Sequence, residues 1–152
     1  MPRPVPDRIT LRRADTGDFD AVCALLRDAS LPLDGVPPEL THFIIAQRDD
    51  SIVGAIGLEH YGDSALLRSA VVHPSARGTG VGDALTRAII EQARSSNVRD
   101  LVLLTTTAAE WFPRFGFTII SRADAPAALH ESVEFKSACP ASAVVMSLRL
   151  SA

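Results

Sequence analysis

The run Arg77-Gly78-Thr79-Gly80-Val81-Gly82 is the segment of this chain with the most explicit chemistry. Glycines at alternate positions let a backbone approach an anion closely and turn several N–H groups to one side. Apolar residues at helical spacing, Val81, Leu85, Ala88, Ile89 and Ala93, follow at once and continue to Ser96. The loop therefore opens onto a helix N-terminus, whose unpaired N–H groups and positive dipole end add about 0.3–1 kcal/mol per favourable charge. A pyrophosphate is the ligand such a cradle suits, with a purely structural turn as the plainer reading of the glycines. Two familiar nucleotide loops are a poor fit, because no Gly-Lys-Ser/Thr ending is present and Asp83 stands where a third dinucleotide-binding glycine would be.

The elements that must position this loop alternate along the chain. After a proline-rich tail, residues 1–8, Ile9 to Ala14 reads as a strand. Asp15 then caps a helix, with Asp18 in the capping-box position and Phe19, Val22, Cys23 and Leu26 on one face. Pro32, Gly35, Pro37 and Pro38 make Leu31 to Glu39 a loop or a broken helix, either an ordinary surface connection or a cover for a substrate pocket. Phe43 to Gln47, Ile52 to Tyr61 and Ala65 to Val72 are strands joined by the tight turns Asp49-Asp50 and Gly62-Asp63, an antiparallel meander ended by His73-Pro74. Leu101 to Leu104 suits a strand buried on both faces, Ala108 to Phe115 a short helix closed by Gly116, and Phe117 to Ser121 and Ser142 to Leu150 the last strands. A mixed α/β sheet with helices on its faces follows, in one domain over residues 9–152.

Composition narrows the function classes. With 152 residues, 47% of them hydrophobic, the chain supports one core. A net charge of -3 supplies no basic surplus for nucleic acid. No eighteen apolar residues run together and no signal-peptide stretch opens the chain, so a cytoplasmic protein without a membrane partner is expected. Cys23 and Cys139 lack metal-ligand spacing with the four histidines, and no metal is expected.

The stretch from Leu67 through His73-Pro74 to Gly82 resembles the fourth strand and motif A of GNAT acetyltransferases, and Trp111-Phe112-Pro113-Arg114-Phe115-Gly116-Phe117 is similar to a later signature of that family. The likeness covers roughly residues 9 to 150. It implies a mostly antiparallel sheet whose fourth and fifth strands splay into a wedge, with acetyl-CoA as cosubstrate. By position, Ala70, Val71 and Val72 would meet the pantetheine and acetyl group, and Arg77, Gly78, Thr79, Gly80, Val81 and Gly82 the pyrophosphate. Within the family, Leu66 to Ser69, Leu104 to Phe117 and Ser142 to Met146 resemble the acetyltransferase domain of N-acetylglutamate synthases. Gly57 to Asp63 and Glu134 to Ala143 look like arsenic-resistance-associated GNAT enzymes. Both imply N-acetylation of a small amino acid, or of an arsenical or phosphinic analogue of glutamate. Homodimers are common in the family.

Acyl transfer from a thioester needs a neutral amine, and each pKa unit by which the amine exceeds ambient pH costs about 1.4 kcal/mol. Glu59, near the end of the third strand, is the candidate base; an exposed strand-end carboxylate is the alternative reading. His60 and Tyr61 compete, although alternation sets His60 on the opposite face from Glu59. Arg68 interrupts an apolar strand and needs a carboxylate partner, either that of the acceptor or one within the protein. Alternation puts Arg68, Ala70 and Val72 on one face and Val71 on the other. Phe112 occupies the position where many family members carry a tyrosine that protonates the departing thiolate, so that acid is missing. Cys139 and Ser142 are further candidates near the acceptor, with packing and a strand-start hydrogen bond as their plainer readings. Trp111, Phe115 and Phe117 could line the acceptor pocket, but aromatic residues in such elements are more often core, and they are given no site role. A peptide N-acetyltransferase and a non-catalytic acyl-CoA-binding module are the competing functions.

Overall fold

The computed structural model describes residues 9–31, 42–106, 108–132 and 143–150. The chain runs through β1 (Ile9–Arg13), α1 (Phe19–Asp28), β2 (Phe43–Arg48), β3 (Ser51–Tyr61), β4 (Ser64–Val72), α2 (Val81–Ser95), β5 (Asp100–Thr105), β6 (Thr118–Ile120) and β7 (Val144–Arg149). They form one seven-stranded sheet in the order β1-β2-β3-β4-β5-β7-β6. Every neighbouring pair is antiparallel except β4 with β5. The expected mixed α/β fold with a mostly antiparallel sheet is the one found.

The start of α1 shows how local chemistry sets an element. Asp15 accepts from the Gly17 N–H at 2.9 Å, and Asp18 accepts from the Asp15 N–H at 2.8 Å. This is the expected capping box, but it caps a single 3-10 turn, Thr16–Asp18, that leads into α1. Arg12 reaches across to both Asp18 oxygens at 2.8 Å and ties β1 to the turn. That contact and the hydrogen bonds hold the Asp18 carboxyl below its ordinary pKa, against the opposing effect of burial.

Among the described residues, apolar burial puts one helix on each face of the sheet. Val22, Leu25 and Leu26 of α1 pack with Phe43, Ile45, Ala55 and Val71. Val81, Leu85, Ile89 and Ala93 of α2 pack on the other face with Ile44, Val53, Ile56 and Leu67. The first face continues past α1 in a smaller cluster, where Leu66, Val102 and Val145 lie under Ala125 and Leu129 of the segment after β6. The helix expected over Ala108 to Phe115 contracts to one 3-10 turn, Phe112–Phe115, closed by Gly116 at φ 101°. Pro113 has no N–H to bond back to Ala109, which stops a regular α-helix there.

Two departures from regularity shape the middle of the sheet. Strands β4 and β5 pair from Ser64↔Asp100 to Leu67↔Leu103 and no further. Beyond that point β4 stays with β3, through Val71↔Ala55 and Val72↔Gly54, while β5 stays with β7. The two strands part into the expected wedge. The second departure is a bulge: Arg68 pairs with Gly57 and Val71 with Ala55, so Ile56 alone faces Ser69 and Ala70, and Ser69 takes φ 60°. The extra residue shifts the alternation by one. Arg68 and Val71 therefore share the face opposite α2, whereas Val72 packs with Leu67 toward α2. This corrects the alternation expected for Arg68, Ala70 and Val72.

Candidate active site

His73 ends β4, and its Nδ1 accepts from the Ser75 N–H at 3.0 Å, starting a 3-10 turn over Pro74–Ala76. The chain then enters the glycine loop. Gly78 and Gly80 sit at φ 80° and 88°, and a Cβ on either would meet nothing within 4 Å. Conformation rather than space demands glycine at both positions. Gly80 is the N-cap of α2 and provides no side-chain cap, so the first N–H groups of the helix are left unused by the side chain that normally takes one. Gly82 is different. Its φ is unexceptional, and a Cβ there would touch Trp111 and Val72 at an ordinary 3.7 Å. The Thr79 hydroxyl donates to the Ala76 carbonyl and braces the loop. Arg77 Nε donates to the Val72 carbonyl at 3.2 Å.

The wedge between β4 and β5 opens onto this loop as one cleft of about 1070 Å³. Ala70, Val71 and Val72 line it from β4, and Arg77, Gly78, Gly80, Val81 and Gly82 line it from the loop and helix start. Eight of the nine residues assigned to the cofactor from sequence thus line one cavity, and the ninth, Thr79, braces the loop from within. Its walls are otherwise largely apolar, and Leu31 three residues past the end of α1 and Trp111 before the 3-10 turn complete them. Phe112 also borders the cleft, yet it is buried and packs edge-on against Phe117 at 5.6 Å.

Arg68 lines the same cleft, but its side chain is 0% exposed and lies 2.6 Å from Glu59 Oε2. Its Nε donates to Ser69 Oγ at 2.9 Å. Glu59 and Arg68 are diagonal neighbours on β3 and β4, since Glu59 pairs with Leu66 and Arg68 with Gly57. The other Glu59 oxygen accepts from the Tyr61 hydroxyl at 2.6 Å and from Ser132 Oγ at 2.8 Å. Three side chains therefore converge on a carboxylate that is itself 4% exposed. Such a pair survives burial only because further hydrogen bonds satisfy it. The partner that Arg68 requires is thus found within the protein. Gly57, directly across from Arg68, leaves room for the Phe43 ring, to which a Cβ would come within 2.2 Å.

Sequence reasoning missed Ser132, because nothing in the local pattern marks a residue 73 positions from its partner. It also gave Trp111 no role in the site, although the indole borders the cleft. The spacing of Trp111 and Arg114 on one helical turn was the available signal. Ser142, Cys139 and the loop from Pro32 to Glu39 lie outside the described residues. Among the described residues, no group of three or more His, Cys, Asp or Glu is arranged to hold a metal ion, and no helix is long and apolar enough to cross a membrane.

Comparison with known proteins agrees with this geometry. Residues 39–119 match the acetyltransferase (GNAT) domain family. The chain is 30% identical over 100 residues to an amino-acid acetyltransferase of Actinobacillus pleuropneumoniae serotype 3, covering 64% of this chain and 23% of that protein. A Yersinia pestis amino-acid acetyltransferase is 30% identical over 122 residues, covering 71% and 26%. The chain thus spans about a quarter of the length of these relatives. Among solved structures, the N-acetylglutamate synthase of Neisseria gonorrhoeae, complexed with coenzyme A and N-acetyl-glutamate, superposes with a TM-score of 0.81 at 23% identity, over 95% of this chain and 36% of that one. A Mycobacterium tuberculosis protein in complex with CoA and NLQ gives 0.79 at 25% identity, over 93% and 99%.

Proposed function

The chain belongs to the GNAT acetyltransferase domain family, and from that premise we propose that it is an acetyl-CoA-dependent N-acetyltransferase acting on the amine of a small amino acid. The observation that carries this reading is the single cleft that begins where β4 and β5 part and ends on the Gly78–Gly82 loop and the start of α2. Acetyl-CoA supplies the activated acyl group. The parted edge of β4 leaves backbone groups of Ala70 to Val72 facing a slot rather than a strand, suited to an amide-bearing arm. The loop and helix start suit its pyrophosphate.

The amino-acid class is supported by relatives that carry that activity in their names. An arsenical or phosphinic analogue of glutamate is the finer form of the same proposal, resting on the resemblance of Gly57 to Asp63 and Glu134 to Ala143 to arsenic-resistance-associated enzymes. We assign the acceptor carboxylate to the neighbourhood of Arg68, at the inner wall of the cleft. Glu59 then acts first as the counter-ion that fixes the guanidinium. Its service as a base would require release of one of three donors. Ser142 remains a proposed contributor near the acceptor.

The test is release of CoA thiol from acetyl-CoA by the purified protein across amino acids, phosphinic and arsonic glutamate analogues, polyamines and short peptides. Turnover confined to carboxylate-bearing amino acids or their analogues supports the proposal. Peptide-selective turnover would reject the acceptor class, and saturable acetyl-CoA binding without turnover on any amine would favour a binding module.

A further inference from the structure

Two arginines at the rim of the cleft have no acid beside them among the described residues. Arg77 and Arg114 both line the cavity, and each uses its Nε on a backbone carbonyl, Val72 at 3.2 Å and Trp111 at 3.0 Å respectively. Among the described residues neither makes a salt bridge. Arg87, the third arginine nearby, is neutralised by Asp83 at 2.8 Å, so the carboxylate that borders the cleft is already matched. Among the described residues, the rim therefore carries positive charge beyond what its acids balance.

Arg114 is held in an unusually defined way for an exposed side chain. Its guanidinium carbon lies 3.9 Å from the centroid of the Trp111 ring, and the bond from Nε to the Trp111 carbonyl fixes its rotation on that platform. The platform itself abuts the helix start, since a Cβ on Gly82 would lie 3.7 Å from the same indole. Gly82, Trp111 and Arg114 thus form a continuous step from the first turn of α2 to a guanidinium fork. The terminal nitrogens of that fork have no partner among the described residues. A planar fork with paired N–H donors matches a phosphomonoester, which offers several acceptor oxygens and close to two negative charges.

We propose that Arg114, seated on Trp111, binds the 3′-phosphate of the coenzyme and makes this chain discriminate CoA from dephospho-CoA. The inference rests on the reading that the pyrophosphate sits on the Gly78–Gly82 loop, because the 3′-phosphate is the one remaining anion of the molecule and lies a single ribose from it. Arg77, on the other side of the loop, is left to the pyrophosphate.

Calorimetric titration of the full chain with CoA and with dephospho-CoA tests this without turnover. The unmodified protein should prefer CoA by about tenfold or more, the effect of one charge-assisted contact. Arg114→Gln should remove that preference by weakening CoA alone, leaving dephospho-CoA within about twofold, which is below 0.5 kcal/mol. Arg94→Gln, at the far end of α2, removes the same charge and should leave the preference intact. Equal affinities for the two ligands in the unmodified protein, or equal loss of both in Arg114→Gln, would overturn the assignment. Failure of the unmodified protein to bind either ligand would instead overturn the underlying coenzyme reading, and this site with it.

Discussion

Removing the Glu59 carboxylate should be among the most destabilising single changes available in this chain. Arg68 and Glu59 side chains are 0% and 5% exposed and meet at 2.6 Å. Glu59→Ala takes away a buried counter-ion of Arg68 and the carboxylate oxygen that accepts from both the Tyr61 and Ser132 hydroxyls. Breaking a buried pair in this way costs about 3–5 kcal/mol. At roughly 2–4 °C per kcal/mol for a domain of this size, Tm falls by about 6–20 °C. Replacing both charges with apolar groups of similar volume, Glu59→Leu with Arg68→Met, should recover most of that loss, since the desolvation of both ions is then avoided. Urea unfolding checks both, read as a change in midpoint at constant slope. A loss below about 1 kcal/mol for Glu59→Ala, the range of an exposed pair, would refute the reasoning. Kinetics separate the two roles of Glu59. For a residue that orients Arg68, Glu59→Gln raises the acceptor KM more than it lowers kcat; for a base, kcat falls and the pH profile loses its acid limb.

Gly80→Ala should lower stability by about 1–2 kcal/mol, because φ 88° is strained for any side chain. Gly82→Ala should leave stability unchanged or raise it by up to about 1 kcal/mol, since that residue lies inside the helix with room for a methyl group; thermal unfolding of the pair distinguishes them, and equal losses would contradict the loop geometry. Asp18, whose pKa is lowered chiefly by the Arg12 hydrogen bond, contributes stability that is present above the unfolded carboxylate range near pH 4 and is lost as pH falls through its folded value. Midpoints measured from pH 5 downward should accordingly fall less steeply in Asp18→Asn than in the unmodified protein. Burial pushes the Cys23 thiol up, so in a Cys139→Ser background it should react with a disulfide reagent only after urea unfolding; prompt reaction of the native protein would contradict its position on the buried face of α1.

Most of the framework was legible because it depends on local periodicity. The capping box at Asp15, the meander through Val72, the glycine loop and the amphipathic α2 all follow from residues a few positions apart. The sequence pattern failed where one residue changes register. The bulge at Ser69 reverses the faces of everything after it in β4, and no residue type there announces it. Long-range partners were equally hidden. Arg68 was recognisable as a cation needing an acid, yet both an internal and an external acid satisfied that need until β3 was paired with β4. Ser132 enters only through the packing of the segment after β6 over the sheet. Trp111 reads as core by composition, and in the fold it does both, packing half-buried against the core while one side of it borders the cleft.

The central claim is direct transfer of an acetyl group from coenzyme bound in the β4–β5 cleft to the amine of a small amino acid. It is tested most directly by mass balance in one reaction. Purified protein, acetyl-CoA and a mixture of amino acids and glutamate analogues are incubated together, and free CoA thiol and N-acetylated products are quantified side by side. Equimolar thiol and N-acetyl amino acid, both abolished by deleting residues 78–80, are expected. Thiol release without a matching N-acetyl product, or no consumption of acetyl-CoA by a protein that binds it, would contradict the claim.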